Sequence, residues 1–503
     1  MAQDPSNEPP PSPAMPEFVP GEIIVKFRPE VSRLARQNSL SAQGLDALEI
    51  SAQGEVLRLQ VEPGQEAKVM ADLLAGGQVE YASPNYYVYA MGDPNDPGYS
   101  AQWNLKNVGQ TGGLVDADID APEAWDIHTG SNNTTIAIVD TGVDLDHPDL
   151  QAKIVAGYDF VNNDAVPDDD AGHGTHVAGI AAAIGNNGIG VAGVSWGAKI
   201  MPVKVLNASG NGTTLGVAKG IDFAVANGAK VINLSLGAPG TSYPCTGFEV
   251  VRDAMQRALD SGRLVIVASG NSNTAVSCPG AYDQAMAVGS TTDMDTRSST
   301  SNYGPQLDIA APGNIIYSTV PGGSYNYLSG TSMATPHVAG LAALIWSFVP
   351  GLSNSQVRSI IQNTADDLGP AGWDQEYGYG RINANCALTV AAFQSAPSQV
   401  FLFVDDNTAS ASQNFFISNT CLTWNVSIPP EATWLNTAPI TTGALTRIAL
   451  TANRPAGYGT YSTTVTATGA TASGVSLAPI VTQVTLFYLH ETHTYHMPLI
   501  FKN

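Results

Sequence analysis

Positive charge is scarce in this chain. Against 44 Asp and Glu it carries 21 Lys and Arg, a formal net charge of −23 over 503 residues. No basic patch offsets that acidity, which argues against nucleic acid or an anionic membrane surface as a partner. Long apolar runs are missing too: no stretch reaches the roughly 18 consecutive apolar residues of a membrane-spanning helix, so a membrane span is not expected. The first 20 residues, MAQDPSNEPPPSPAMPEFVP, lack the basic and apolar regions of a signal peptide. Rich in Pro and Ser, they read as a disordered lead-in at a mature terminus with a start Met added. Cysteine is limited to Cys245, Cys278, Cys386 and Cys421, with no CxxC spacing to indicate a zinc site.

What is present is regular. A chain this long exceeds one hydrophobic core and predicts about three domains. Through its middle, KIMPVKVL, KVINLSLG, LVIVASG and AMAVGS read as strands, and THVAGIAAAI, TLGVAKGIDFAVANG and EVVRDAMQRALDSG as helices. Such alternation predicts a doubly wound, mostly parallel α/β sheet whose functional groups gather at strand carboxyl ends.

Three segments carry chemistry. In IAIVDTGVDLDHPDL, the apolar residues Ile136 to Val139 form a buried strand that delivers Asp140 at its end. In GHGTHVAGI, His173 opens an alanine-rich helix, and in GTSMATPHVAG, Ser332 sits between a small-residue turn and an apolar helix. A serine hydroxyl is a weak nucleophile, so it needs an imidazole base, and the imidazole needs a carboxylate to fix its tautomer. His176 and His337 are rival histidines, and Asp144, Asp146 and Asp149 rival carboxylates, but only Asp140 directly ends the apolar strand. A fourth run, LVIVASGNSN, is a strand ending in Ser269, Gly270 and Asn271.

The order Asp, His, Ser and the text around each residue resemble the subtilisin-like serine proteases, near the proteinase K and thermitase branches; the order is the one known for subtilisin. The resemblance covers roughly residues 93–394. It implies a serine endopeptidase with Asp140 as carboxylate, His173 as general base and Ser332 as nucleophile. It also implies an oxyanion amide at Asn271, a second donor at the Ser332 backbone N–H, and support from Thr331. Ser235, Leu236 and Gly237, with Gly210, Asn211 and Gly212, are then the two edges that sandwich the substrate backbone. Ala268, Ser269 and Gly270, with Ser277, are then the pocket floor. None of these is charged, which predicts uncharged apolar or aromatic side chains at the cleaved bond. Structural calcium is implied through Asp149, Asp96 and the loop GNNGIGV, with Asn186 or Asn187, Ile189 and Val191 as ligands; oxygen donors of this kind suit a hard cation.

The remaining text gives the domain expectations. Residues 1–20 are the lead-in. Residues 21–91, with GEIIVKF, VLRLQV, EAKVMADLLAG and VEYASPNYYVYA, resemble an inhibitor-type propeptide of α+β type. That resemblance implies an intramolecular inhibitor and folding aid that lays Tyr87 to Met91 in the cleft as a product-like strand; an unrelated ferredoxin-like module is the alternative. Residues 92–394 are the catalytic domain. Residues 395–489 turn to short Ser-, Thr- and Val-rich strands and predict an all-β, immunoglobulin-like sandwich resembling BACON modules, which implies a spacing role or contact with glycans or a surface. Residues 490–503 read as a tail without a metal site. In a secreted chain four cysteines predict two disulfides, most simply Cys245 with Cys278 and Cys386 with Cys421, with free buried thiols as the alternative. The reading is therefore a secreted, self-processing endopeptidase acting on polypeptides. A catalytically silent binding protein and a peptide ligase on the same residues are the rivals: the complete residue set argues against the first, and the lack of any visible device excluding water against the second.

Overall fold

A computed structural model of the chain describes residues 18–86 apart from 29, 43, 44, 46, 51–55, 63 and 64, residues 93–406 apart from 239, and residues 410–442 and 445–488. Most of the expected lead-in, the cleft-lying segment Tyr87 to Met91 and the tail from 490 lie outside the described residues. The chain divides between Met91 and Gly92 into two compact units.

The first unit has strands β1 (Phe18–Phe27), β2 (Ala47–Ile50), β3 (Val56–Gln60) and β4 (Val79–Tyr86), with helices α1 (Arg33–Ala42) and α2 (Glu66–Ala75). The strands form an antiparallel sheet in the order β2-β3-β1-β4. Alternation turns Ile23, Val25, Phe27, Leu57 and Leu59 inward, onto Leu40 and Leu73 of the helices. β1 starts at Phe18, inside the expected lead-in, because Phe18 pairs with Tyr86 and extends the sheet.

In the second unit, β5 (Thr135–Asp140), β6 (Tyr158–Asp159), β7 (Lys199–Lys204), β8 (Val231–Leu234), β9 (Leu264–Ala268), β10 (Met286–Thr291) and β11 (Ile309–Pro312) form a parallel sheet ordered β11-β10-β9-β8-β5-β7-β6. β8 and β9 are buried along their whole length, as continuous apolar strands in a sheet covered on both faces must be. One face is covered by α5 (Thr214–Ala226) and α6 (Glu249–Asp260). The other is covered by α3 (Ala121–Trp125), α4 (His173–Ala182), α7 (Thr331–Phe348), α8 (Asn354–Asn363) and α9 (Ala384–Gln394), with the hairpin β12 (Ile316–Val320) and β13 (Ser324–Leu328) beside α4. This is a subtilisin-like α/β fold. Asp140 ends β5, His173 opens α4 and Ser332 lies in the first turn of α7, so three element ends face one edge of the sheet.

Two further sheets follow: β14 (Gln399–Val404), β16 (Leu422–Ser427), β19 (Gly459–Thr471) and β20 (Ile480–Tyr488) in the order β14-β20-β19-β16, and β15 (Ser410–Ser418), β17 (Leu435–Thr442) and β18 (Leu445–Asn453) in the order β15-β18-β17. The change of sequence character near residue 395 marks a change of secondary structure and no break in packing. Phe393 of α9 meets Phe416 edge-on at 5.1 Å, and Val400, Phe415 and Leu422 belong to the same apolar core as α7. Cys386 is disulfide-bonded to Cys421 across this junction, and Cys245 to Cys278. Among the described residues no helix is long and apolar enough to cross a membrane.

Candidate active site

The Asp140 carboxylate is fully buried, and its Oδ1 lies 2.7 Å from His173 Nδ1 and accepts from the Thr141 N–H at 2.7 Å. Close packing makes this pair possible. Gly174, next to His173, approaches the turn after β5 so tightly that a Cβ there would lie 2.1 Å from the Gly142 carbonyl. Behind the pair, Asp169 accepts from the Thr141 and Thr175 hydroxyls and from the N–H groups of Ala171, Gly172 and Thr175. Burial opposes its ionisation, but those hydrogen bonds outweigh burial and hold its pKa below the usual carboxylate value. Burial also favours the neutral form of His173, yet the charge and hydrogen bond of Asp140 and the charge of Asp169 win and raise its pKa. The rival histidines differ. Burial pushes His176 down to about 4 with its Nε2 between the Ile316 and Asn326 carbonyls, and pushes His337 down to about 4 with its ring between Asn104 and the Met333 carbonyl.

Ser332 is held by Ser235. Its hydroxyl donates to the Ser235 carbonyl at 3.1 Å, and among the described residues no hydrogen bond joins it to His173. Across the same gap, Asn271 Oδ1 accepts from the Thr331 N–H at 2.9 Å and the Thr331 hydroxyl at 3.0 Å, which leaves the Asn271 amide N–H₂ to face the cleft. The Thr331 hydroxyl in turn accepts from the Gly270 N–H at 3.2 Å.

These groups line one open cleft of about 650 Å³, together with Gly210, Asn211, Gly212, Ser235, Leu236, Gly237, Ala268, Gly270, Ser277 and Pro279. Ser269 is the exception among the expected lining residues. One step past the end of β9 its side chain points to the other face, fully buried, with Oγ donating to the Asn302 carbonyl at 3.2 Å. The Cys245–Cys278 bond sits under the cleft's far wall, where Ala238 N–H also donates to the Cys278 carbonyl.

The expected calcium residues also come together. Asp96 Oδ2 accepts from the Asn186 N–H at 2.6 Å, while Asp149 accepts from the Asn187 side chain at 2.8 Å and the Val191 N–H at 2.9 Å. Burial raises the pKa of both carboxyls. Gly190, at φ 56°, folds the loop so close that a Cβ would lie 2.2 Å from Asp149 Oδ2. Ile189 is 40% exposed, with its N–H on Asn187 Oδ1.

Asn302 has no counterpart in the sequence reading. Fully buried, it accepts from the Ser272 and Thr274 N–H groups and donates to the Ala275 carbonyl and Ser277 hydroxyl, so one side chain braces the loop that carries Asn271. The only sequence signal is a polar residue between otherwise unremarkable neighbours.

The chain is similar to known proteins. The profile of the Subtilase family matches residues 131–380, and that of the Fervidolysin N-terminal prodomain matches residues 5–85. The Thermophilic serine proteinase of Bacillus sp. (strain AK1) is 40% identical over 378 residues, 74% of this chain and 88% of its own. Thermitase of Thermoactinomyces vulgaris is 49% identical over 292 residues, 58% of this chain and 97% of its own. Among solved structures, a protease from Pseudoalteromonas arctica superposes with a TM-score of 0.53 at 34% identity, covering 60% of this chain and all of that one. The chain therefore belongs to the subtilase family and is a serine endopeptidase carrying an N-terminal prodomain.

Proposed function

We propose that Asp140, His173 and Ser332 are the catalytic triad of this endopeptidase and that Asn271 supplies its oxyanion donor. The observation that carries this reading is the 2.7 Å contact between buried Asp140 and His173, with His173 lining the cleft that also holds Ser332 and Asn271. A peptide pairing with the Ser235–Gly237 edge displaces the Ser332 hydroxyl from the Ser235 carbonyl, and catalytic hydrogen bonds of this kind tighten only when substrate is bound. His173 Nε2 takes the hydroxyl proton as Ser332 Oγ attacks the carbonyl carbon. The oxyanion is met by Asn271 Nδ2 and the Ser332 N–H. The imidazolium then protonates the leaving amine, and water repeats the sequence to free the acyl group. Gly210 to Gly212 and Ser235 to Gly237 hold the substrate backbone, and the uncharged pocket by Ala268, Gly270 and Ser277 favours apolar or aromatic side chains.

The reading includes secretion as a precursor, with residues 21–91 as intramolecular inhibitor and folding aid, removed by the enzyme itself near residues 90–93. It also includes structural calcium held by Asp96, Asp149, Asn187 or Asn186, and the carbonyls of Ile189 and Val191. Among the described residues no three Asp, Glu, His or Cys side chains converge as a metal cluster. The two carboxylates accept N–H groups of the loop at residues 186–191, and the fit rests on donor chemistry: carboxylates, asparagine amides and backbone carbonyls are the oxygens a hard cation takes. The ion would stabilise the loop and take no part in bond cleavage.

Labelling with a serine-directed phosphonate, followed by cleavage profiling on a peptide library, tests the proposal. Label is expected on Ser332, with cleavage after apolar or aromatic residues. Label elsewhere, or cleavage after charged residues, would refute the corresponding part.

A further inference from the structure

Lys204 is the last residue of β7, and in the parallel register it lies opposite Asp140, the last residue of β5. Its side chain is 1% exposed, although taking a lysine ammonium out of water is costly unless polar groups replace the lost solvation. They do. Lys204 Nζ donates to the Thr141 carbonyl at 2.5 Å and to Asp170 Oδ1 at 2.5 Å. Those acceptors sit on the two turns that present the Asp140–His173 pair. Thr141 follows Asp140, gives its N–H to Asp140 Oδ1 and gives its hydroxyl to Asp169. Asp170 lies three residues before His173, in the turn whose N–H groups of Ala171 and Gly172 bond Asp169.

We infer that Lys204 is a positioning residue for the proposed triad: one buried ammonium clamps the turn after Asp140 to the turn before His173 and sets the electrostatic balance of the pair. A strand end in an apolar sheet could hold Met or Leu, and such a residue would pack. It would leave the Thr141 carbonyl and the Asp170 carboxylate without their cation. The charged and titratable groups around His173 are Asp140 at the end of β5, Asp169 and Asp170 ahead of α4, and His176 one turn along α4. Lys204 is a cation in hydrogen-bond contact with one of these carboxylates, Asp170, and its charge is opposite to theirs. The inference rests on the triad reading above.

Opposite charge changes give the test. The acid limb of kcat/KM reports the base in the free enzyme. The same peptide anilide is used for the parent and both variants. Lys204→Met is expected to move that limb to higher pH by roughly half a unit or more, with lower kcat and little change in KM. Asp170→Asn keeps an oxygen acceptor for Lys204 but removes a negative charge, and is expected to move the limb to lower pH. Melting temperatures are measured alongside. Profiles that superimpose on the parent, or shift in the same direction for both variants, overturn the inference even where melting falls. If Lys204→Met does not fold, Asp170→Asn decides alone. A folded, processed parent that hydrolyses no anilide while phosphonate leaves Ser332 unlabelled refutes the triad reading instead, and this inference with it.

Discussion

The Ser235 hydroxyl donates to the Ser332 carbonyl at 2.8 Å. In an unbroken α-helix that carbonyl would accept from the N–H four residues on, but that residue is Pro336, which has none. The proline leaves an acceptor open in the first turn of α7, and Ser235, on the expected substrate edge, fills it while its own carbonyl accepts from Ser332 Oγ. The backbone of Ser332 is thus fixed from outside its helix. Ser235→Ala removes the donor, and an unsatisfied, part-buried carbonyl costs about 1–3 kcal/mol. Thermal melting of the variant should fall by about 1–3 °C in a unit of this size, and kcat should drop more than KM changes; a melting curve matching the parent would show that another donor takes over.

Ser332→Ala and His173→Ala should each abolish peptide hydrolysis to a similar degree. The expected loss in kcat is about 10⁶-fold, a magnitude that comes from subtilisin itself and not from this geometry. The same variants should retain the prodomain. Intact mass of the purified parent and of Ser332→Ala checks this, with the parent shortened near residues 90–93. Processing of pure Ser332→Ala would place the cleavage with another protease.

Asn271→Ala and Thr331→Val separate the proposed donor from its proposed support. Removing an oxyanion-hole donor costs about 100- to 1000-fold in kcat, again a value known from subtilisin. Thr331→Val leaves Asn271 in place but removes the hydroxyl that bonds Asn271 Oδ1 at 3.0 Å and accepts from Gly270 N–H. Its expected loss is smaller, about 10-fold, the size of one modest hydrogen bond. A larger loss for Thr331→Val than for Asn271→Ala would reverse the roles.

Stability should also depend on pH through Asp120. Burial first, then the charges of Asp366 and Asp118, push its carboxyl up to about 7, and burial pushes Asp118 up to about 6. A raised carboxyl binds its proton more tightly in the folded state. The stabilisation is therefore full below about pH 4 and lost as pH rises through 7. Asp120→Asn, which still offers an oxygen to the Asn383 side chain, should melt higher than the parent at pH 8 and nearly the same at pH 4, read in the Ser332→Ala background to prevent self-digestion. A constant difference across this range would remove the titration from the account.

The strands of the central sheet were legible because sheet burial on both faces writes continuous apolar text, as in LVIVA and VINL. Asp140 and His173 were legible because each closes or opens such an element. Other features hide in the sequence for physical reasons. β17, LNTAPITT, carries Pro439 and lies at a sheet edge, so little apolar periodicity marks it. α1, RLARQNSLSA, has too few apolar residues to announce a helix. Ser269 looked like pocket floor because it adjoins Gly270 and Asn271, but strand alternation turns it inward. Asn302 and Lys204 act through partners 25 to 63 residues away in the chain, a relation that only the folded sheet creates.

Calcium is the last expectation, motivated by Asp149 and Asp96 wrapped by residues 186–191. Two buried carboxylates gathered under one exposed loop repel each other, and the charge of Asp96 adds to burial in raising the Asp149 pKa. A divalent ion there would relieve both effects. Because such an ion binds the folded chain alone, it stabilises by mass action, about 2.7 kcal/mol at a hundredfold excess over Kd. Chelation should lower the melting temperature and hasten self-digestion while leaving initial turnover at low temperature unchanged. Asp149→Ala should melt as the chelated parent does and respond no further to chelator. Unchanged melting and self-digestion of the parent, once metal analysis shows the protein to be stripped, would refute the site.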